Sequence, residues 1–187
     1  ELNLGLDAGF VNNRINLAFD WYKRNNFDLI GTVTTQGIGG EISKYGNVAE
    51  MKSQGVELSL FTRNIERKDF KWQTNFIFAW MDNEVTKLKT MTRMIDYITG
   101  TGYSMEGTPR GSLFSLKFKG LNEMGIPTFL AADGSITSTN IQFQETVNMS
   151  NLVYEGPVDP TITGSLGNIF KWKGFTLNVF MTYSFGN

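Results

Sequence analysis

Apolar and polar residues alternate at every second position along six segments of this chain. In the last segment, residues 175–185, the sequence FTLNVFMTYSF places an apolar or aromatic side chain at every odd position and mostly Thr, Asn and Ser between them. A period of two is the pattern of a β-strand with one apolar face. The six predicted strands are residues 2–10, 15–27, 46–64, 70–81, 162–172 and 175–185.

Short and long connections alternate between these predicted strands. Residues 11–14, 65–69 and 173–174 form short connections, whereas 28–53 and 82–161 are much longer than usual loops. Soluble β-sandwiches follow no such rule. Outer-membrane barrels do, with short turns on the periplasmic side and long loops outside. The pattern therefore predicts that the two long connections are extracellular loops.

The length of the strands also favours a membrane over a soluble core. Residues 175–185 extend ~36 Å at ~3.3 Å per residue, or ~28 Å of height at a tilt of ~40°. That height is close to the ~25 Å apolar band of an outer-membrane barrel, whereas a sandwich strand has only ~5–6 residues. Aromatic residues near strand ends fit the belts of such barrels: Trp21, Trp72, Trp80, Trp172, Phe175 and Tyr183.

These features predict an all-β fold, a segment of an antiparallel, up-and-down transmembrane β-barrel with long extracellular loops. Six strands are fewer than the ~8 of the smallest common barrels, and an open edge in lipid leaves backbone amides unpaired. We therefore expect residues 1–187 to be one partial barrel domain of a longer protein.

Composition excludes several classes of function. The 17 basic and 18 acidic residues nearly balance, so no general attraction to nucleic acid follows. The sequence contains no Cys and no His, which removes disulfides, thiolate metal sites and His-based catalytic triads. We predict that the chain is not an enzyme, with no catalytic, cofactor-binding or metal-binding residue and no cofactor. Its substrate-binding residues remain unknown.

The longest connection shows local patterns of its own. Residues 111–121 and 125–134 are typical of a hairpin or a pair of short strands, with Asp133-Gly134 as a turn. Residues 99–112 indicate a Gly-rich linker. Apolar residues at helical spacing indicate a short amphipathic helix: Val85, Leu88, Met91, Met94, Ile95 and Ile98.

Four stretches of the chain resemble the C-terminal part of SusC/RagA-type TonB-dependent outer-membrane transporters. They are NLGLDAGFVNNRINLAFDWYKRNNFDLI (3–30), YGNVAEMKSQGVELSLFTRNI (45–65), EGTPRGSLFSLKFKGL (106–121) and GSLGNIFKWKGFTLNVFMTYSFGN (164–187). Their order and spacing make the resemblance specific. The matching stretches include no TonB box, no plug and no final aromatic strand of that family. We therefore expect this chain to be a C-terminal barrel fragment.

The resemblance implies much of the function. Members of this family are barrels of about 22 strands with an N-terminal plug, in the outer membrane of Bacteroidetes-like Gram-negative bacteria. They import oligosaccharides, or in some branches peptides. A SusD-like surface lipoprotein acts as a lid, and the TonB complex supplies energy through the N-terminal region. The implied partners are thus this lipoprotein, TonB, outer-membrane lipid and the imported oligomer, with no nucleic acid.

Several side chains remain candidates for chemistry or binding. Tyr97 and Tyr103 either stack on sugar rings or, as we favour, pack within the loop. Residues that face away from the apolar side either line the solute path, grip the plug or only hydrate the inner wall: Asp20, Arg24, Glu57 and Lys71. Four acidic residues suggest a glycosidase pair or, more simply, solvated charge: Glu41, Glu50, Asp82 and Glu84.

Other features favour turns, and two other functional classes stay open. Asp133-Gly134 lacks the spaced acidic ligands of a calcium loop. The glycines at 100, 102, 107 and 111 match no phosphate-binding motif, so we interpret them as turn residues. The alternative to a transporter is a secreted all-β carbohydrate-binding module, whose apolar strand faces would form a sealed core. An enzyme domain is the third hypothesis.

Overall fold

The computed structural model describes residues 1–35, 37, 39–90, 92–100, 102–131, 133–139, 149 and 152–187. Strands dominate it, together with one helical turn. The strands are β1 Leu2–Phe10, β2 Ile15–Thr34, β3 Ser43–Glu66, β4 Phe70–Leu88, β5 Ser112–Leu116, β6 Phe118–Leu121, β7 Pro127–Leu130, β8 Ile136–Thr137, β9 Leu152–Pro157, β10 Ile162–Trp172 and β11 Phe175–Phe185, and the helix is α1, Met94–Tyr97.

The chain divides into two compact units. The strand unit consists of residues 1–25, 52–83 and 160–187, and the loop unit consists of residues 26–51 and 84–159. No helical segment among the described residues has the length and apolar character needed to cross a membrane as a helix.

Six long strands form one sheet in the order β1-β2-β3-β4-β10-β11. The pairs β1–β2, β4–β10 and β10–β11 are antiparallel, and their registers place apolar residues opposite apolar residues. Leu6 faces Phe19 across the first pair, and Leu166 faces both Phe76 and Met181. Because opposite residues share a face, the alternation within each strand becomes an apolar face that is shared across each of these three pairs. The predicted six-stranded architecture is thereby confirmed.

The short turns of the strand unit lie next to one another at one end of its sheet. The main-chain N–H of Lys173 donates to the carbonyl of Asp69 at 3.0 Å, and that of Arg63 donates to the carbonyl of Arg14 at 2.8 Å. Asn12 and Asn13 take positive φ angles of 53° and 58° in the first turn, a conformation that Asn tolerates better than most residues.

The apolar face of the strand unit is exposed. Leu6, Phe175 and Leu177 keep 59%, 75% and 59% of their surface accessible, whereas the buried apolar residues among those described all lie in the loop unit. A secreted β-sandwich needs the opposite arrangement, with two apolar faces packed together. The described residues of the strand unit therefore do not form the sealed core that the carbohydrate-binding alternative requires.

The loop unit has a small core of its own. β5 pairs with β9, and β6, β7 and β8 form a second small sheet. The predicted hairpin is present as β6 and β7, and Gly134, at φ 82°, turns the chain between β7 and β8. The buried apolar residues are Val48, Val85, Met94, Tyr97, Phe114, Leu116 and Ala131.

Two local predictions were wrong. The long strands continue past their predicted ends, so most of the predicted loop 28–53 is strand, and β4 runs on to Leu88. The N–H of Thr35 donates to the carbonyl of Ile42 at 3.0 Å, which closes β2 and β3 into a hairpin. Backbone pairing extends the strands where the side-chain alternation weakens, because each N–H and C=O needs a partner.

The predicted amphipathic helix is limited to one turn. Val85 and Leu88 belong to β4, and among the described residues of this stretch helix is limited to 94–97. Met91 lies outside the described residues. Helical spacing of apolar residues is a weak signal over so short a stretch, and sheet pairing overrode it.

Candidate functional site

Aromatic rings cluster at both ends of the apolar face. Near the short turns Trp72 stacks on Phe170 with ring centroids 5.6 Å apart, and Trp172 stacks on Phe175 at 6.5 Å. Near the opposite strand ends Tyr183 stacks on Phe185 at 5.8 Å. Such rings prefer the headgroup level of a membrane, so the face has the two girdles of a membrane band.

The ring of Tyr183 is fitted to a glycine on the neighbouring strand. Gly164 lies directly opposite Tyr183, and a Cβ at Gly164 would collide with the Tyr183 ring and with the carbonyl oxygen of Ile77. The Tyr183 hydroxyl donates to that carbonyl at 3.0 Å. The glycine thus lets an amphipathic ring lie across two strands while its polar end is satisfied.

Polar side chains interrupt the apolar face at one row and bond to each other. Asn168 lies opposite both Thr74 and Val179. Its Oδ1 accepts a hydrogen bond from the Trp72 indole at 2.9 Å and from the Thr74 hydroxyl at 2.8 Å. The Asn64 amide donates to the Thr74 hydroxyl at 2.6 Å. Because partners on three strands satisfy one another, this polar row does not depend on water.

The opposite, polar face carries the charged residues that alternate with the apolar ones. Asp20 lies opposite Gly5, and a Cβ at Gly5 would come within 2.7 Å of the Asp20 carboxylate. Arg24 donates to Glu1 at 2.8 Å, Lys71 lies opposite Lys171, and Glu57 is exposed. All four predicted residues thus project from the polar side of their strands, without gathering into one cluster.

A recess of about 530 Å³ also opens on this polar side near the first turn. Asp7, Asn13, Asn16 and Arg63 contribute to its walls. It offers hydrogen-bonding groups of both kinds, with one acidic and one basic side chain.

The loop unit contains a groove of about 550 Å³, which we call the loop groove. Five parts of the unit that are distant in sequence line it: residues 31–32 of β2, Val48 of β3, residues 88 and 90, residues 102–104 with 110–111, and residues 158–159. The main chains of Tyr103 and Ser112 exchange two hydrogen bonds of 2.8 Å, and the N–H of Val158 donates to Gly111 at 2.8 Å. These bonds hold its walls together.

Comparison with known proteins agrees with this geometry. The family model for the TonB dependent receptor-like β-barrel matches residues 1–187. The chain belongs to this family. TonB-dependent receptor P3 of Formosa agariphila is 28% identical over the whole of this chain and 20% of its own length. TonB-dependent receptor SusC of Bacteroides thetaiotaomicron is 36% identical over 46% of this chain and 9% of its own length.

Comparison with solved structures also finds similarity to outer-membrane transporters. The RagAB peptide transporter superposes with a TM-score of 0.77 and 28% identity, over 99% of this chain and 21% of that one. The RagAB peptide importer in its closed-closed state gives a TM-score of 0.76 and 29% identity, again over 99% of this chain. The chain therefore spans about a fifth of the length of these relatives.

Membership of the TonB-dependent receptor family indicates which of the two sheet faces meets lipid and which faces the barrel lumen. These receptors are outer-membrane β-barrels and transporters, and neither relative bears the name of an enzyme. In such barrels the outward apolar band meets lipid and the inward side is polar. The face with Leu6, Leu166 and Phe175 is the lipid side, and the face with Asp20 and Lys71 is the lumenal side.

Two of the four acidic residues singled out in the sequence of this receptor barrel segment have side-chain partners from other strands. The Asp82 carboxylate accepts from the Gln54 amide at 3.3 Å, and Glu50 pairs with Lys87 at 3.2 Å. Within the described residues, no group of three acidic side chains is arranged to hold a metal ion. Glu41 is exposed.

The two loop tyrosines of the receptor segment differ in role. Tyr97 is 6% exposed, and its ring packs edge-on against Tyr103 and Phe114, each at 5.2 Å between centroids. Burial raises the pKa of the Tyr97 phenol. Tyr97 thus packs within the loop, as favoured from the sequence, whereas Tyr103 is exposed and lines the loop groove.

Aspartate side chains accept hydrogen bonds at the start of the helical turn and in a β-turn of the loop unit. The Arg93 guanidinium donates to Asp96 at 2.9 Å, and its hydrogen bond holds the pKa of the Asp96 carboxyl below its usual value. Asp133 accepts from the hydroxyl and N–H of Ser135, which lowers the pKa of Asp133. Asp133 is thus a turn residue.

Two features of the site were not predicted from the sequence. Thr74 and Asn168 interrupt otherwise apolar positions, and that interruption was a readable signal for the bonded polar row. The loop groove left no comparable signal, apart from glycines whose spacing matches no motif. Its walls come from segments whose proximity depends on how the loop unit folds.

Proposed function

We propose that this chain forms part of the wall and the extracellular loops of a TonB-dependent transporter that imports oligosaccharides or peptides together with a SusD-like surface lipoprotein. The match of the whole chain to a receptor barrel family carries the proposal. The exposed apolar face, with aromatic girdles at both ends, supports it independently.

The alternation of connections supports placing the loop unit outside the cell. Short turns join β1 to β2, β3 to β4 and β10 to β11, whereas β4 ends at Leu88 and β10 begins at Ile162. Outer-membrane barrels keep short turns on the periplasmic side. The loop unit is then available to the lid lipoprotein and to solute, and residues Asp20, Arg24, Glu57 and Lys71 line the lumen or contact the plug.

Uptake by the full-length protein tests the proposal. Cells that carry the full-length gene, cells in which that gene is deleted, and cells that carry the intact gene but lack TonB are given labelled maltoheptaose and a labelled octapeptide mixture. We expect energised uptake of at least one probe in the first strain alone. Equal uptake in all three strains would contradict a TonB-dependent import function.

The lid is tested by co-purification. The full-length protein carries an affinity tag and is extracted in mild detergent, and a lipid-modified protein of surface-lipoprotein size is expected in stoichiometric amount. A receptor that takes up either probe while it purifies alone, before and after chemical crosslinking, would contradict the lipoprotein partner and leave transport standing.

A further inference from the structure

The two turns that join β3 to β4 and β10 to β11 carry a concentration of positive charge. They lie next to each other, since the N–H of Lys173 donates to the carbonyl of Asp69 at 3.0 Å. Residues 67–69 and 173–174 contain three cations against one anion, in a chain whose formal net charge is −1. The cations are Arg67, Lys68 and Lys173, and none of them forms an ion pair with a described residue. The two turns therefore present a net positive charge at one end of the sheet.

Lys173 places part of this charge on the lipid side of the sheet. Its Nζ lies over the ring of Trp172, 5.5 Å from the ring centroid. Trp172 is 56% exposed and lies opposite both Phe70 and Phe175 on the apolar face. An ammonium group has three N–H donors, so this cation–π contact does not prevent Lys173 from binding an anion. A Cβ at Gly174 would meet no atom within 4 Å, so the turn leaves space for a bulky headgroup.

Rings and aliphatic side chains continue from Trp172 along the same face. Trp72 and Phe170 stack in the next row, with ring centroids 5.6 Å apart. Beyond the polar row, Leu166 of β10 lies opposite Met181 of β11, which is exposed. The face thus passes from a cation through aromatic rings to aliphatic side chains. A phospholipid has the same order of chemistry, from its phosphate through its glycerol to its acyl chains.

The turn between β1 and β2 lacks this arrangement. Residues 11–14 contain one charged residue, Arg14. Its guanidinium donates to the carbonyl oxygens of Arg63 and Asn64 at 3.1 and 3.0 Å, so these donors already have acceptors within the protein. The adjoining strand β1 has exposed leucines on its apolar face. This part of the sheet therefore offers contact with acyl chains but no comparable binding group for an anion.

We propose that Lys68, Lys173 and Trp172 form a site for one phospholipid with a net negative headgroup, such as phosphatidylglycerol. The two lysines bind its phosphate, Trp172 contacts its glycerol, and Leu166 and Met181 contact its acyl chains. A zwitterionic phospholipid brings an ammonium group of its own, which the net positive turns repel. Because outer-membrane barrels have their short turns on the periplasmic side, the site faces the periplasmic leaflet. The inference goes beyond import, since it depends on the barrel wall and not on the imported solute.

Photolabelling of the full-length receptor in mixed micelles tests the site. The probe is phosphatidylglycerol with a diazirine on one acyl chain, and labelled peptides are identified by mass spectrometry after digestion with pepsin. The measured quantity is the label that an excess of unlabelled phosphatidylglycerol removes. We expect this label on residues 162–185 to exceed that on residues 2–10, a lipid-facing strand without the turn lysines, by about fivefold or more. An equal excess of phosphatidylcholine should leave the label in place.

Removal of the two turn lysines should lower the labelling. Each Lys close to an anionic lipid surface contributes about fivefold to binding, so the double variant Lys68→Gln, Lys173→Asn should lose about tenfold or more. Asn suits position 173, because it tolerates the φ of 51° found there. Lys171→Gln is the matched control and should leave the label unchanged, since Lys171 lies opposite Lys71 on the lumenal side. Heat-modifiable migration on gels verifies that each variant is assembled.

Equal labelling of residues 162–185 and 2–10 would overturn the site, because it would indicate an unselective belt of lipid. Equal displacement by phosphatidylcholine and by phosphatidylglycerol would overturn the preference for a negative headgroup. An equal loss of label in Lys171→Gln and in the double variant would overturn the roles of Lys68 and Lys173. Displacement of the probe by inorganic phosphate would show a site for a free anion and overturn the lipid as its occupant. Uptake is measured separately, so each of these failures leaves the transporter proposal standing.

Discussion

At the scale of single residues, the polar row on the apolar face shows how a membrane surface accommodates amides and hydroxyls. Asn168 is the centre of this row, because its Oδ1 accepts from both Trp72 and Thr74. A donor in an apolar setting that loses its acceptor keeps its full desolvation penalty. Loss of the Asn168 side chain would therefore leave two donors, on Trp72 and Thr74, without their acceptor.

We expect Asn168→Ala to destabilise the assembled full-length barrel by about 1–3 kcal/mol, the cost of stranding buried donors. Asn178→Ala is the control, since Asn178 is an exposed residue of β11 opposite Ile169, on the other face. The measurement is the urea midpoint of unfolding in detergent. Equal midpoints for the two variants would show that the row contributes no stability.

The ion pair of Asp96 and Arg93 predicts a local dependence on pH. The folded pKa of Asp96 is lowered from 3.8, mainly by its hydrogen bond to Arg93. A lowered carboxyl pKa gives stability that is complete above the unfolded value and is lost as pH falls through the folded value. Hydrogen exchange of residues 92–99, corrected for its intrinsic rate, should therefore accelerate below pH ~4.

An Asp96→Asn variant should exchange faster than the wild type at pH 6 and lose this acid-induced change, because it lacks the carboxylate. Glu123→Gln should behave as the wild type at both pH values. Identical protection of the wild type and Asp96→Asn at pH 6 would refute a stabilising role for the pair.

At the scale of elements, each strand presents two chemically different faces, and the registers of β1–β2, β4–β10 and β10–β11 align those faces between neighbouring strands. Val179 and Asn178 are neighbours in β11 but belong to opposite faces, since Val179 lies opposite Asn168 and Asn178 lies opposite Ile169. The period-two pattern predicted this sidedness in all six strands. It did not predict that β2, β3 and β4 continue into the loop unit, because ladder pairing rather than side-chain pattern extends them.

Val179→Arg should lower the stability of the full-length barrel by about 2–4 kcal/mol, the cost of a charge near the bilayer midplane on the lipid side. Asn178→Arg, one residue away on the lumenal side, should be tolerated. The amount of heat-modifiable receptor in outer membranes and its urea midpoint measure the difference. Similar losses for both variants would show that the apolar face does not meet lipid.

At the scale of the whole molecule, the chain combines an apolar sheet surface without a sealed core and a loop unit with one. In the sheet order β1 and β11 are the end strands, and no described pairing joins them. Such edges and such an apolar surface require either lipid and further strands or self-association.

Residues 1–187 expressed alone should therefore partition into detergent micelles, or associate in buffer, because the apolar face has no internal partner. Sedimentation with and without detergent measures this, and the loop unit should add little to the association. A stable monomer in buffer without detergent would contradict the membrane assignment of the face.

The sequence by itself determined the strands, their apolar face and the membership of an outer-membrane barrel family, because sidedness depends only on residues two apart and survives in any register that keeps the faces aligned. The tertiary structure alone decided the pairing of β5 with β9, the burial of Tyr97 against Phe114 and the assembly of the loop groove. These contacts join segments far apart in the chain. Gly102, for example, lets Val158 and Gly111 approach its backbone closely, but its presence in the sequence does not indicate which segments will pack there. Which distant segments come together depends on the path of the folded backbone, and a local pattern of residues cannot predict that path.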